Sequence, residues 1–113
     1  MKYPIVIVAF PFLENPYVTK TRPAICLQAL ETRPEIVTLV YITSQKEASN
    51  EKNVCLKKSD PNFPRTGLIQ ESTVNLEKIF TVSVSEIKGV AGVLEGDFVT
   101  EFQQKLKQHL QLP

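Results

Sequence analysis

The sequence predicts a mainly β (α+β) protein, a small antiparallel barrel with an amphipathic helix at its C-terminus. Short runs rich in Val, Ile and Phe are separated by turn-forming residues at hairpin distances, a pattern typical of antiparallel strands rather than of βαβ units. Near the C-terminus the apolar period changes from that of a strand to that of a helix. With 113 residues, 42% of them hydrophobic and 22% charged, residues 1–113 are expected to form one globular domain.

The first half of the chain predicts three strands. Residues 4–12 form the first, because Pro11 would break a helix there, and residues 13–21 follow as an exposed loop. Arg22 and Pro23 open the second apolar run, which covers residues 24–30. The third run, residues 35–42, is apolar on both alternating faces, which indicates a central strand.

The second half predicts three more strands and the helix. Residues 53–58 form a short edge strand that ends in lysines, and residues 72–84 form a longer strand. In this longer strand Val74 and Leu76 lie on one face and Asn75 and Glu77 on the other, with the two polar side chains roughly 7 Å apart. Residues 87–93 contain two glycines, which predicts a bulge or a close backbone approach. The helix is expected at about residues 96–111, and His109 suits its C-terminal end.

Composition excludes several classes of function. The formal net charge is +1, so the chain as a whole gives no electrostatic argument for nucleic acid, and no apolar run approaches the ~20 residues that span a bilayer. Cys26 and Cys55 are too few for a disulfide framework or a metal site and are expected to be thiols in a reducing cytoplasm. The sequence has one histidine and no glycine-rich phosphate loop, so neither a metal nor a cofactor is expected.

Polar side chains concentrate where the predicted strands end. Arg22 begins the second strand, residues 43–45 (Thr, Ser, Gln) end the third, and Asn75 and Glu77 project from the late strand. A guanidinium can donate two parallel hydrogen bonds to a phosphate, hydroxyls can orient the same group, and a glutamate can accept a proton from a ribose hydroxyl. Structural interpretations stay open, since Arg22 could pair with a surface carboxylate, Thr43 could bond to turn backbone, and Glu77 could pair with Lys78.

The order of three sequence blocks resembles a known family. VAFPFLENPYVTKTRPAICL, then VYITSQ, then TGLIQESTVNLEKIFTVSVSEIKGVAGVL before the helix, is similar to the PemK-like branch of the MazF/PemK toxins over nearly the whole chain. The resemblance implies an SH3-like barrel, usually a homodimer, that acts as a metal-independent endoribonuclease and binds a cognate antitoxin. The family's arginine of the RP element and threonine after strand three carry cleavage, and they match Arg22 and Thr43.

The same resemblance implies how RNA would be bound. Ser44 and Gln45 would line the RNA groove, and the loop of residues 13–21 would close over it. Tyr17 in that loop is expected to stack on a base, because RNA is read in single strands by splayed bases. Lys78 or Lys20 could also bind RNA, in place of a cation that many relatives carry on the late strand, but only as a point charge.

One departure from the family bears on activity. Many relatives have an Arg-x-Asp pair where this chain has Asn75 and Glu77, and the loss of one guanidinium is expected to lower the rate by roughly 10²- to 10³-fold. The hypothesis for the reaction is attack of a ribose 2′-hydroxyl on its own 3′-phosphate, with Arg22 stabilising charge, Thr43 orienting the phosphate and Glu77 as candidate base. Two alternatives stay open: a weakened toxin-like barrel that only binds RNA or an antitoxin, and a gyrase poison of the CcdB branch.

Overall fold

A computed structural model describes residues 1–9, 21–44 and 50–112 of the chain. Within these ranges the chain forms one sheet of antiparallel strands, one α-helix and three short 3-10 turns, at residues 30–32, 63–66 and 84–86. The strands are β1 (Tyr3–Ala9), β2 (Thr21–Cys26), β3 (Ile36–Thr43), β4 (Val54–Leu56), β5 (Ser72–Ser83) and β6 (Ile87–Leu94), and the helix is α1 (Asp97–His109).

The six strands curl into a half-barrel in the order β4-β5-β3-β2-β1-β6. All of the neighbouring strands pair antiparallel. The predicted fold class, a mainly β antiparallel barrel with a C-terminal helix, is therefore confirmed. β3 lies between β5 and β2, as its two apolar faces indicate, and β4 is an edge strand, as its lysine-rich end predicts.

Side chains from the two faces of the sheet form two separate hydrophobic clusters. The first cluster lies under the helix and joins Ile5, Ile25 and Val40 to Phe102 of α1. The second cluster lies on the other face of the sheet and contains Val6, Val8, Ala24, Cys26, Val37 and Leu39. Since side chains alternate along a strand, odd-numbered residues of β3 face the second cluster and even-numbered residues face the first.

Helix α1 packs one apolar stripe on the first cluster. Phe98, Val99 and Phe102 are buried, and the ring of Phe102 meets the edge of Tyr3 with centroids 5.3 Å apart. Gly96 precedes the helix at a φ of 68°, and Lys107 and His109 lie in the last turn, where positive charge suits the helix dipole. In the described ranges, no helix has the length and apolar character needed to cross a bilayer.

The end of the second strand differs from the prediction. β2 ends at Cys26, whereas the apolar run predicted a strand as far as Leu30. The ladder to β3 continues for one more residue, because the Leu27 N–H bonds to the Thr38 carbonyl at 3.0 Å. The Gln28 side chain then takes over from the backbone, with its Oε1 accepting the Thr38 N–H at 2.6 Å. The predicted end of the first strand, residues 10–12, lies outside the described residues.

The chain between β4 and β5 crosses to β6 and bridges the two edges of the sheet. A Cβ on Gly67 would lie 2.0 Å from the Ala91 carbonyl oxygen, and a Cβ on Gly92 would lie 2.3 Å from the Arg65 carbonyl oxygen. Arg65 Nε also pairs with Glu95 at 2.9 Å. β6 shows both features that its glycines predicted, since its register with β1 also shifts twice.

Candidate functional site

A cavity of about 850 Å³ opens where β2 begins and β3 ends, beside residues 75–78 of β5. It is the larger of the two principal cavities in the described part of the chain. Its walls come from the ends of β2 and β3, from β5, and from the loop that precedes β5. The lining residues that matter below are Arg22, Tyr41, Thr43, Ser44, Asn53, Ile69, Asn75, Glu77 and Lys78.

Strand register brings Arg22 and Thr43 to the same part of the cavity. Ala24 of β2 is paired with Tyr41 of β3, and extending this register by two residues along each strand brings Arg22 opposite Thr43. Directly opposed residues of an antiparallel pair have Cβ atoms roughly 5 Å apart and share one face of the sheet. Arg22 Nη1 donates to the Thr21 carbonyl at 3.4 Å, and the Thr43 residue is only 8% exposed.

An irregularity in the β3–β5 ladder places residues of β5 beside Arg22 and Thr43. Val40 pairs with Ile79 and Ile42 pairs with Val74, so two steps along β3 correspond to five along β5. Residues 75–78 therefore face Tyr41 alone, and we call these four residues the β5 bulge. Bulges bend a strand and redirect its side chains, and they are common beside functional sites. Here the bulge brings Asn75, Glu77 and Lys78 to the cavity.

Two side-chain amides bond to the backbone of the β5 bulge. The Leu76 N–H donates to Oδ1 of Asn53 at 3.0 Å, and the Glu77 N–H donates to Oδ1 of Asn75 at 3.1 Å. Asn53 is 2% exposed, and among the described residues no buried side-chain nitrogen or oxygen lacks a hydrogen-bond partner. The oxygen of Asn75 thus bonds to the bulge itself, while its two N–H donors are the groups it can offer a ligand.

Lys78 lies over an aromatic ring at the cavity wall. Its Nζ is 5.4 Å from the centroid of the Tyr41 ring, within the range of a cation–π contact. Tyr41 is half-buried and Lys78 is exposed. The cavity therefore offers a positive charge beside a π-face, an arrangement that suits a phosphate next to a nucleobase.

Six of the nine residues that the sequence singled out line this cavity. They are Arg22, Thr43, Ser44, Asn75, Glu77 and Lys78. The other three, Tyr17, Lys20 and Gln45, lie outside the described residues.

Sequence reasoning missed Tyr41, Asn53 and the loop of residues 67–70, which also line the cavity. Tyr41 could have been found from the sequence. It carries a hydroxyl and lies two residues before Thr43, so the two side chains are expected on the same face of the third strand. Asn53 left none, since it contacts a residue 23 positions away in the sequence.

A second cavity of about 650 Å³ lies between β4 and α1. It shares Asn50 and Asn53 with the first cavity, and its wall carries both signs of charge, among them Lys57 and Glu101. Lys105 of α1 crosses this region, bonding to the Asn53 carbonyl oxygen at 2.9 Å and to Glu101 at 3.1 Å. The described residues hold no group of three His, Cys, Asp or Glu side chains that could bind a metal ion.

The larger cavity is lined by a guanidinium, an ammonium and a carboxylate, together with several hydroxyls and side-chain amides. The cationic donors suit a phosphate, the hydroxyls of Thr43 and Ser44 can donate to its oxygens, and the carboxylate of Glu77 can accept a proton. The depth and polarity of the cavity suit a bound phosphodiester with one base beside it.

A family model and several solved structures match this chain. A family model described as PemK-like, MazF-like toxin of type II toxin-antitoxin system matches residues 2–110. A comparison with curated protein sequences found no significant match. Among solved structures, the chain is similar to the Mycobacterium tuberculosis toxin MazF-mt6, with a TM-score of 0.75 and 20% identity over 97% of this chain and 98% of that one. An endoribonuclease in complex with its cognate antitoxin, from a mycobacterial species, gives a TM-score of 0.67 and 17% identity over 97% and 93% of the two chains.

Proposed function

The chain belongs to the PemK-like, MazF-like family of toxins of type II toxin–antitoxin systems, and we propose that it is a metal-independent endoribonuclease that cleaves single-stranded RNA. The observation that carries this proposal is the convergence of Arg22, Thr43 and Glu77 on one cavity. These residues come from three different strands. The register of β2 and β3 and the bulge of β5 bring together a guanidinium, a hydroxyl and a carboxylate, a set of groups that suits phosphodiester cleavage.

Arg22 is proposed to stabilise the charge on the phosphate. In the transition state of phosphodiester cleavage, negative charge grows on the nonbridging oxygens, and a guanidinium can donate to two of them at once. Pro23 supports this role, because the residue before a proline is restricted to extended backbone and the direction of the Arg22 side chain is thereby limited. The Arg22 position within β2, paired with Val8 of β1, gives the side chain a rigid base.

Thr43 and Ser44 are proposed to orient the same phosphate. Thr43 lies at the end of β3 opposite Thr73 of β5, so its backbone is held on one side by the sheet. The hydroxyl of Thr43 can donate to a nonbridging oxygen or to the departing oxygen. Ser44, which is exposed at the cavity, can make the adjacent contact.

Glu77 is proposed to act as the base, and Lys78 to supply the second positive charge. Glu77 is exposed and can approach a ribose hydroxyl without prior rearrangement of the core. Lys78 follows Glu77 in the β5 bulge, and by the family resemblance Asn75 of the same bulge is expected to stand in place of the arginine of many relatives. An ammonium is a point charge that lacks the bidentate geometry of a guanidinium, so the rate should lie below that of relatives with the arginine by roughly 10²- to 10³-fold.

In the proposed reaction the 2′-oxygen of a ribose forms a bond to the adjacent 3′-phosphorus. Glu77 accepts the 2′-hydroxyl proton, the bond from phosphorus to the 5′-oxygen breaks, and the electron pair leaves with that oxygen. The Thr43 hydroxyl is the candidate donor of a proton to the 5′-oxygen, and the proton held by Glu77 then returns to Thr43 through solvent, so both side chains regain their starting state. The products are a 2′,3′-cyclic phosphate and a 5′-hydroxyl, and atoms and charge balance with RNA as the sole reactant.

We propose three further properties of this toxin. It binds a cognate antitoxin, as its membership of a toxin–antitoxin family implies. It acts on mRNA in the cytoplasm. It forms a homodimer, which would add a second copy of the cavity to the RNA path. Light scattering of the purified protein and co-purification with the protein encoded beside it would test the assembly and the partner.

The cleavage proposal is tested with purified protein and a mixed-sequence single-stranded RNA in excess chelator. We expect cleavage by the parent protein and loss of cleavage in Arg22→Ala and in Thr43→Val, which keeps the β-branched shape but removes the hydroxyl. Lys88→Met on exposed β6, away from the cavity lining, is a control that should cleave like the parent. Cleavage that survives both cavity substitutions would contradict the proposal.

A second candidate function is a toxin-like barrel that binds RNA or an antitoxin without cleaving. The observation that favours it is the use of Asn75, whose oxygen accepts the Glu77 N–H. By the family resemblance, this amide is expected to stand where many relatives carry a cation. RNA binding that is lost in Arg22→Ala, with no cleavage by the parent protein, would select this candidate. Inhibition of DNA gyrase without either RNA effect would instead select the gyrase-poison alternative.

A further inference from the structure

We infer that Asn53 is a positioning residue for RNA cleavage, because it fixes the β5 bulge that carries Asn75, Glu77 and Lys78 to the cavity. The inference rests on the proposed endoribonuclease function and adds to it a residue that is not itself expected to react. Asn53 lies at the base of the larger cavity, just before β4, and is 2% exposed. A buried polar side chain at a cavity wall requires partners, and the identity of those partners gives its role.

The first partner is the backbone of the bulge. The β4–β5 ladder ends with Val54 opposite Val74. The N–H of Leu76, two residues further along β5, therefore has no β4 carbonyl to bond to. The Leu76 N–H is buried and donates to Oδ1 of Asn53 at 3.0 Å. The Asn53 side-chain oxygen therefore accepts the hydrogen bond that a backbone carbonyl of β4 would accept in a longer ladder.

The second partner holds Asn53 to the helix. Lys105 Nζ donates to the Asn53 carbonyl oxygen at 2.9 Å, and Lys105 is itself paired with Glu101 one helical turn earlier at 3.1 Å. The Asn53 N–H donates to the Asn50 carbonyl at 3.2 Å, which closes a turn before β4. Asn53 is thus attached on both sides of its own backbone, and its side chain reaches the bulge from a fixed position.

The bulge needs this attachment because the sheet does not determine its shape. Between the pairs Val40–Ile79 and Ile42–Val74, the four bulge residues face one residue of β3. A further bulge N–H, that of Glu77, bonds to Asn75 Oδ1 within the bulge itself at 3.1 Å. The Asn53 bond at Leu76 therefore anchors the bulge backbone from outside the bulge. Leu76 also packs in the first hydrophobic cluster, so this anchor fixes the strand directly between Asn75 and Glu77.

A positioning role has a kinetic signature that differs from loss of stability. In Asn53→Ala the Leu76 N–H loses its acceptor, and the bulge carrying Glu77 and Lys78 can shift. Arg22 and Thr43 belong to β2 and β3, so phosphate binding through them stays. Because a misplacement of about 1 Å can cost about 100-fold in rate, we expect kcat to fall by about 10- to 100-fold while KM changes by less than about threefold.

The conservative variant Asn53→Asp separates this role from a general structural one. Aspartate keeps an oxygen acceptor for the Leu76 N–H, and the Lys105 ammonium at the adjacent carbonyl favours its negative charge. It should recover most of the kcat that alanine loses, to within about fivefold of the parent. Val37→Ala, which truncates a fully buried residue of the second cluster, is the matched control and should leave kcat unchanged.

The experiment measures kcat and KM for RNA cleavage by the parent, Asn53→Ala, Asn53→Asp and Val37→Ala proteins, together with amide hydrogen exchange at Leu76. The inference expects fast Leu76 exchange and low kcat in Asn53→Ala, with both restored in Asn53→Asp. Equal kcat in parent and Asn53→Ala, equal loss in the alanine and aspartate variants, or a protected Leu76 amide in Asn53→Ala would overturn it. A parent protein that cleaves no RNA would count against the proposed function, whereas Leu76 exchange reads the anchor without RNA.

Discussion

Alanine substitutions at two glycines of β6 should have different effects on the free energy of unfolding, because the backbone packs closely against only one of them. A Cβ added to Gly92 would lie 2.3 Å from the Arg65 carbonyl oxygen and 2.6 Å from the Thr66 carbonyl oxygen. Real Cβ atoms essentially never come closer than 3.0 Å, so the two backbones must separate by about 0.7 Å. Gly89 lies in the same strand, and a Cβ there would meet nothing within 4 Å.

The expected magnitudes follow from these contacts. Overpacking of this kind costs about 1–3 kcal/mol, and Gly92→Ala should reach the upper part of that range because the obstructing atoms are backbone. The shift also strains the buried Thr66 hydroxyl, which donates to the Phe63 carbonyl at 2.7 Å and accepts the Leu68 N–H at 3.2 Å. Gly89→Ala should leave the free energy of unfolding unchanged or raise it by up to about 1 kcal/mol, since alanine reduces the entropy of the unfolded chain.

Urea unfolding at one fixed protein concentration measures the difference. For a typical dependence of about 1–3 kcal/mol per molar urea, the Gly92→Ala midpoint should lie about 1–2 M below that of Gly89→Ala. RNA binding should also weaken in Gly92→Ala alone, because residues 65–67 pack on β6 and lead directly into residues 67–70, which supply a wall of the larger cavity. Equal urea midpoints for the two variants would refute the close packing that closes the half-barrel.

Three further outcomes are expected. Burial raises the pKa of the Cys26 thiol above its ordinary value of 9.0. The resulting stabilisation of the native state is fully present below pH 9 and should be lost as the pH rises through the raised pKa. Urea midpoints at pH 8 and pH 10 should therefore differ less in Cys26→Ala than in the parent. Lys105→Met removes the charged donor to the Asn53 carbonyl and should cost about 1–2 kcal/mol, against less than about 0.5 kcal/mol for Lys107→Met on the exposed last turn, and equal costs would contradict the contact. Lys78→Met should lower the slope of log RNA affinity against log salt by about 0.7, and an unchanged slope would show that Lys78 makes no phosphate contact.

The strands could be predicted because their causes are local. Alternation of apolar and polar residues in β5, double-sided burial in β3 and the helical period after Gly96 are all written in consecutive residues. The end of β2 could not be predicted, because the run to Leu30 keeps strand composition while the Gln28 side chain replaces the backbone in the ladder. That side-chain hydrogen bond depends on Thr38, ten residues away.

The candidate site was predictable in its chemistry and not in its construction. Arg22, Thr43 and Glu77 could be singled out as residue types that handle phosphates, and the family resemblance supplied their order. The β5 bulge could not be seen, because Asn75 and Glu77 alternate with apolar residues as in a regular strand. What makes the bulge possible is the bond from Leu76 to Asn53, a contact across 23 residues that no local pattern carries.

We propose that RNA bound in the cavity around Arg22 and Thr43 is cleaved by attack of its own ribose 2′-hydroxyl. The most direct measurement compares a short single-stranded RNA that the protein cuts with the same oligonucleotide carrying one 2′-deoxyribose at the cut position, both in excess chelator. We expect cleavage of the all-ribose strand to a 2′,3′-cyclic phosphate and a 5′-hydroxyl, and none at the deoxyribose. Cleavage at the deoxyribose, or products ending in a 5′-phosphate, would contradict this mechanism.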